Sequence, residues 1–210
     1  MSLLKQQTPA LLVLEDGSVF QGLAFAGSGE VLGEVVFNTG MTGYQEILTD
    51  PSYKGQMVAM TYPLIGNTGI NDEDMESAGI HLEGLIVREY QDVPSNWRSR
   101  RTLKAFLEAE GRLGVEGVDT RALTRRLRLQ GAMRGILTTE TRDVDTLLAR
   151  VRSYPGLVGR DLIREVTGQR PYRWKDGGPK SMRGTGKRRS DGPLRVVVID
   201  CGVKYNILRH

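Results

Sequence analysis

A short apolar run near the C-terminus constrains the fold of this chain more than any other feature of its sequence. Residues 196–199 read Val-Val-Val-Ile, and uninterrupted runs of this kind are typical of strands buried on both faces of a parallel sheet. A single strand cannot form such a sheet. The run therefore predicts that a second domain, an α/β domain with a Rossmann-like layer, begins at residue 194 and is incomplete at residue 210.

The residues before this run divide into two further parts. Residues 168–193 are rich in glycine, lysine, arginine and serine and contain almost no aliphatic residues, a composition typical of linkers. We therefore expect an N-terminal domain over residues 1–155, an interdomain connector over 156–193 and the start of the second domain over 194–210. If the polypeptide ends at His210, these last residues are expected to be poorly anchored.

Strand and helix patterns within residues 1–155 predict an α+β domain. Two apolar runs flank Asp16 and Gly17, a strong hairpin signal. Helices are expected after residue 100, one of them with Asp119 as its N-cap and Gly131 just past its end. Asn71 is expected to cap a short acidic helix. The predicted architecture is a mixed β-sheet packed with helices in β/β/α layers.

Composition excludes several classes of protein. The net charge is +4, but the basic clusters lack interleaved aromatic residues and any recognisable nucleic-acid module, so we expect no nucleic-acid partner. No apolar run approaches the roughly 20 residues of a membrane span, so no membrane association is expected. The single cysteine excludes an internal disulfide framework and is consistent with a cytoplasmic location.

The segment FNTGMTGYQEILTDPSY, residues 37–53, is unusually polar and reads as either an elaborate turn or one wall of a site. Its short polar side chains can hold a loop by bonding to backbone groups, and its glycines permit conformations closed to other residues. Gln45 and Glu46 fit a solvated helix face as well as they fit a supporting role. The residues given these supporting roles are Asn38, Thr39, Gly40, Thr42, Gly43, Gln45 and Glu46.

Four long segments carry a resemblance to a known family. They are GEVVFNTGMTGYQEILTDPSYKGQMVAMTYPLIGNTGIN (33–71), GVDTRALTRRLRLQGAMRGIL (117–137), YPGLVGRDLIREVT (154–167) and VVVIDCGVKYNILR (196–209). The first three resemble the N-terminal domain of the small, glutamine-hydrolysing chain of carbamoyl-phosphate synthetase. The last resembles the first strand and turn of the class I glutamine amidotransferase domain of that family. The order of the segments is also that of the family.

The resemblance implies a reaction and a partner. In this family the small chain hydrolyses L-glutamine, and the ammonia passes through a tunnel to a large synthetase subunit. That subunit makes carbamoyl phosphate from ammonia, bicarbonate and ATP for arginine and pyrimidine biosynthesis. The implied partners are thus L-glutamine and the large subunit, in a heterodimer. ATP and Mg belong to the large subunit, and no cofactor or metal is expected in this chain. The alternative is a non-catalytic binding or scaffold module derived from the same domain.

No catalytic residue is expected within the chain. The family uses a cysteine nucleophile on a glycine-flanked elbow, followed by a histidine and a glutamate, and the resemblance puts all three beyond His210. Cys201 lies at a strand-end turn with no G-x-C-x-G pattern around it, so it is read as a structural residue. Neither His81 nor His210 has a sequence context that suggests a catalytic base.

One substrate-binding residue can be carried over from the resemblance. The serine of the DPSY element, Ser52, is implied to contact the bound L-glutamine. The residues alone leave a second interpretation open, because a serine after Asp50 and Pro51 also fits a turn that it stabilises locally.

Overall fold

The computed structural model describes residues 8–175, 177–181 and 195–210. Its strands are β1 (Thr8–Leu14), β2 (Val19–Ala26), β3 (Glu30–Asn38), β4 (Gln56–Met60), β5 (Leu64–Ile65), β6 (Gly84–Ile86), β7 (Glu89–Tyr90), β8 (Leu113–Glu116), β9 (Met133–Thr138), β10 (Tyr172–Lys175) and β11 (Gly178–Ser181). Its helices are α1 (Tyr44–Thr49), α2 (Leu103–Ala109), α3 (Thr120–Gln130), α4 (Val144–Ser153), α5 (Ile163–Val166) and α6 (Tyr205–Arg209), with a 3₁₀ turn at Pro51–Tyr53. None of the helices in these ranges is long and apolar enough to cross a membrane.

Seven strands close into a barrel in the order β1-β2-β8-β6-β4-β3-β9. The four neighbours β8, β6, β4 and β3 run parallel, and the remaining pairs are antiparallel. The α+β class is confirmed, and the closure of the sheet is a feature that the predicted β/β/α layers did not include. The sheet closes because β1 pairs with β2 on one side and with β9 on the other. Neither β2 nor β9 is therefore left as a free edge.

Alternate residues of the barrel strands pack into different clusters. Leu12 and Leu14 of β1 belong to the same buried cluster as Leu123 and Leu127 of α3. The alternate residues of β1, Leu11 and Val13, pack with Leu147 and Val151 of α4 instead. Because successive side chains of a strand point to opposite faces, β1 is buried on both faces, one in the cluster that α3 joins and the other against α4.

The capping residues of the sequence predicted both ends of α3 correctly, but they also predicted a helix after Asn71 that is wrong. The Asp119 side chain accepts the N–H of Ala122 and so caps α3, and Gly131 follows that helix with φ +87°. The expected acidic helix after Asn71 does not form. The Asn71 amide oxygen does accept the N–H groups of Glu73 and Asp74, so the cap-like hydrogen bonds exist but close only a local turn.

The C-terminal part differs from expectation in two respects. Residues 195–199 form no strand, and Val197 is 90% exposed, so the predicted start of an α/β domain is not seen. A strand of a parallel sheet needs neighbouring strands, and the described residues supply none for this run. Residues 204–206, by contrast, are anchored to the N-terminal domain, because Lys204 pairs with Asp50 and the N–H groups of Tyr205 and Asn206 bond to Glu76. Within the predicted connector, β10 and β11 form a hairpin, and the linker-like residues 182–194 lie outside the described ranges.

Candidate functional site

The turn that carries Ser52 is built by its neighbour Asp50. The Asp50 carboxylate accepts the backbone N–H of Ser52 at 2.9 Å and caps the 3₁₀ turn at Pro51–Tyr53. The Ser52 side chain is exposed, and its hydroxyl makes no hydrogen bond to any described residue. The local turn is therefore stabilised by the Asp50 carboxylate and the Ser52 backbone, and the Ser52 hydroxyl is available to a ligand. Contact with glutamine stays a prediction.

Helix α1, directly before this turn, is fixed to the barrel by a buried amide. Gln45 is only 4% exposed. Its side chain donates to the carbonyl of Asn71 at 2.6 Å and accepts the N–H of the same residue at 2.9 Å. The interpretation of Gln45 as part of a solvated helix face is therefore wrong. It satisfies both backbone groups of a buried residue, which would otherwise be costly to bury.

We expect Gln45→Leu to lower the free energy of unfolding by roughly 2–4 kcal/mol, because it leaves a buried N–H and a buried C=O without partners. Urea denaturation followed by circular dichroism measures the change. Gln130→Leu is the matched control, since Gln130 is exposed at the end of α3, and its effect should stay within about 0.5 kcal/mol. Equal effects of the two substitutions would show that the Asn71 pairing does not stabilise the fold.

Other polar residues of the segment divide between confirmed and unconfirmed supporting roles. The Asn38 side chain accepts the N–H of Gly40 at 2.7 Å and donates to the Tyr53 hydroxyl at 2.9 Å, so its predicted loop-holding role is confirmed. Gly43 has φ +81°, a conformation that favours glycine. The Thr39 and Thr42 side chains are exposed and make no hydrogen bond within the described ranges.

Glu46 is half-buried in an acidic neighbourhood. Burial raises the pKa of its carboxyl, and the nearby Asp74 and Glu76 raise it further, while the Arg98 guanidinium opposes them. Arg98 itself forms an ion pair with Asp74. The surroundings of Glu46 are thus those of a partly desolvated group rather than of a freely solvated helix face.

The segment 200–204 meets the Ser52 turn. Lys204 forms an ion pair with Asp50 at 3.3 Å, and a Cβ at Gly202 would lie 3.3 Å from that of Pro51. Partial burial would raise the pKa of Asp200, but hydrogen bonds from the N–H groups of Val203, Gly202 and Gly168 outweigh it and lower that pKa. This carboxylate therefore holds the turn at residues 200–203, and the exposed Ser52 hydroxyl lies on the neighbouring turn.

The described residues bring no nucleophile and base together. Cys201 is exposed and free. His81 is half-buried with its Nε2 2.9 Å from the Ser77 hydroxyl, and burial, with Lys54 and Arg112 nearby, lowers its pKa. His210 is exposed. No hydrogen bond joins Cys201 to either histidine in the described part of the chain, and no group of three or more His, Cys, Asp or Glu residues in that part could hold a metal ion.

Fold and site together define an α+β barrel domain that presents an exposed polar turn and, within the described ranges, no paired nucleophile. The family model described as "Carbamoyl-phosphate synthase small chain, CPSase domain" matches residues 12–137, and the chain belongs to this family. This family match confirms the resemblance for the segments within residues 12–137.

Curated relatives extend the match beyond the barrel. The carbamoyl phosphate synthase small chain of Nitratidesulfovibrio vulgaris (strain Miyazaki F) is 54% identical over 204 residues, which cover 95% of this chain and 54% of that protein. The proteins of the same name from Syntrophotalea carbinolica and Thermosynechococcus vestitus are 52% and 50% identical, each over 96% of this chain and 54% and 53% of their own lengths. The chain spans about half the length of the curated relatives it matches.

Proposed function

We propose that this chain serves in glutamine-dependent carbamoyl-phosphate synthesis as part of the small subunit, which supplies ammonia from L-glutamine to the large synthetase subunit. The enzyme is then carbamoyl-phosphate synthase (glutamine-hydrolysing), located in the cytoplasm and serving arginine and pyrimidine biosynthesis. The observation that carries the proposal is the match to carbamoyl phosphate synthase small chains over 95% of this chain at 54% identity. A scaffold derived from the barrel alone is not favoured, because that match continues past the barrel.

In this proposal Ser52 contacts the L-glutamine substrate. Its hydroxyl can donate to or accept from the polar groups of an amino acid without adding charge to the site. Two features of the structure support the role. The backbone of the turn is held by Asp50 at 2.9 Å, so the serine is preorganised, and its hydroxyl is exposed without a partner among the described residues.

The chemical step in this proposal belongs to residues that follow this sequence in the longer relatives. Hydrolysis of the glutamine amide needs a thiolate, an imidazole base, a carboxylate that orients the imidazole, and backbone donors for the oxyanion. The barrel then contributes one wall of the glutamine site and a surface for the large subunit. ATP and Mg act on the large subunit.

A binding assay tests the proposal at the level of the partner. We expect a polypeptide of the relatives' full length that carries this sequence to co-purify with the large synthetase chain and to support carbamoyl phosphate formation from glutamine. The matched control is the large chain alone, which should use ammonia but not glutamine. Absence of a complex, or glutamine use that does not depend on the added chain, would contradict the proposed function.

A further inference from the structure

One buried acid, Glu76, fastens α6 to the barrel. Glu76 is 6% exposed. Its carboxylate accepts the N–H of Asn206 at 2.9 Å, and its backbone carbonyl accepts the N–H of Tyr205 at 2.8 Å. The second carboxylate oxygen lies 3.9 Å from the guanidinium of Arg209, which also donates to the carbonyl of Met75 at 2.8 Å. The N-terminal end of this short helix is thus bonded to Glu76, and its C-terminal end is bonded to Met75 and paired with Glu76.

These contacts replace a cap that α6 lacks. The first N–H groups of a helix have no acceptor within the helix, and α6 has no side-chain cap of its own. Glu76 satisfies two of these groups from 130 positions earlier in the chain. A buried carboxylate is costly unless it is hydrogen-bonded, so the orientation of Glu76 and the position of α6 depend on each other.

The same acid is tied to the turn that carries Ser52. The N–H of Glu76 donates to the Thr49 hydroxyl at 2.9 Å, and Thr49 is the last residue of α1, directly before Asp50. Asp50 in turn holds Lys204 at 3.3 Å. Two acidic residues therefore connect the Ser52 turn to the segment that ends in α6: Asp50 through its carboxylate, and Glu76 through its backbone N–H on one side and its carboxylate on the other.

We propose that Glu76 is a positioning residue of the glutamine site, which holds α6 and the preceding residues 200–204 in a fixed place beside the Ser52 turn. The role in glutamine binding rests on the proposed function. The structural half of the proposal, that Glu76 holds α6 and residues 200–204 in place, does not depend on it. Glu76 does not touch the ligand in this view. Glu76 instead sets the distance between the exposed Ser52 hydroxyl and the part of the glutamine site that follows residues 200–204 along the chain.

Hydrogen exchange in the 210-residue chain tests the structural half. We expect Glu76→Ala to lower the protection of the Tyr205 and Asn206 amides by about tenfold or more, because their acceptor is lost or displaced. Glu76→Gln keeps an oxygen acceptor and should stay within about threefold of the unsubstituted chain. Glu73→Ala is the matched control, since the Glu73 side chain is 78% exposed and pairs with Arg98. Unchanged protection in Glu76→Ala, with the barrel amides intact, would overturn the proposal.

Steady-state kinetics test the functional half in the enzyme assembled with the large chain from a polypeptide of the relatives' full length. We expect Glu76→Ala to raise KM for glutamine about tenfold, with ammonia-dependent synthesis unchanged and partial rescue by Glu76→Gln. If Ser52→Ala raises KM and Glu76→Ala does not, the positioning role is overturned while the glutamine contact stands. If Glu76→Ala raises KM and Ser52→Ala has no effect, the positioning role stands and the Ser52 contact fails.

Discussion

The purified 210-residue chain is expected to release no ammonia from L-glutamine above the uncatalysed background. In a serine protease with a nucleophile and a histidine base, removal of the nucleophile lowers kcat by roughly a millionfold. The only cysteine of the sequence, Cys201, is exposed, and His81 directs its Nε2 to Ser77 at 2.9 Å. No described group therefore activates a thiolate for attack on an amide.

Ammonia release measured with a coupled glutamate dehydrogenase assay over several hours tests this expectation. Cys201→Ser is the matched control and should give the same background. Steady ammonia release that Cys201→Ser abolishes would contradict the prediction and make Cys201 a nucleophile. A polypeptide of the relatives' full length, measured in parallel, shows that the assay detects the activity of the longer protein.

Short-range signals predicted the local structure of this chain well. Two apolar runs around Asp16 and Gly17 predicted the hairpin of β1 and β2, whose register is now seen. Asp119 caps α3 as expected. Caps and tight turns depend on side chains within a few positions of the backbone groups that they satisfy. The sequence around such a residue therefore contains most of the information needed.

Barrel closure lay beyond this kind of reasoning. Alternation shows which faces of a strand are buried, but not which strand lies beside it. The pairing of Leu11 with Thr138, across most of the domain, closes the barrel. One sequence feature did indicate that β1 is covered on both faces. Residues 11–14 form a continuous apolar run, and all four are buried. A run buried on both faces favours a covered or closed sheet over a layered one.

The long-range contacts that support the candidate site were missed for a related reason. Gln45 bonds to the backbone of Asn71, 26 positions away, and Glu76 bonds to the backbone of Asn206, 130 positions away. Backbone partners leave no complementary side chain in the sequence to suggest a pair. An amide on α1 and an acid among other acids both resemble solvated residues until the fold buries them. Ser52 was proposed as a glutamine contact only because the resemblance covers its motif.

We expect Ser52→Ala to reduce glutamine-dependent carbamoyl phosphate synthesis tenfold to hundredfold in the enzyme assembled with the large chain, with ammonia-dependent synthesis largely intact. One polar contact to a substrate contributes on the order of 1–3 kcal/mol, which corresponds to that range. The fold should tolerate the change, because the Ser52 hydroxyl has no partner among the described residues and the turn is held through the backbone N–H at 2.9 Å from Asp50. The measurement is kcat/KM for each nitrogen source.

Ser28→Ala is the control, since Ser28 is also exposed and its hydroxyl also makes no hydrogen bond within the described ranges. It should leave both activities unchanged. Equal loss of glutamine-dependent and ammonia-dependent synthesis in Ser52→Ala would assign the residue to contact with the large subunit instead of to glutamine. If Ser52→Ala lowers only glutamine-dependent synthesis, the Ser52 hydroxyl must act before ammonia is formed. In this proposal the bound glutamine is the only ligand of that hydroxyl at that stage.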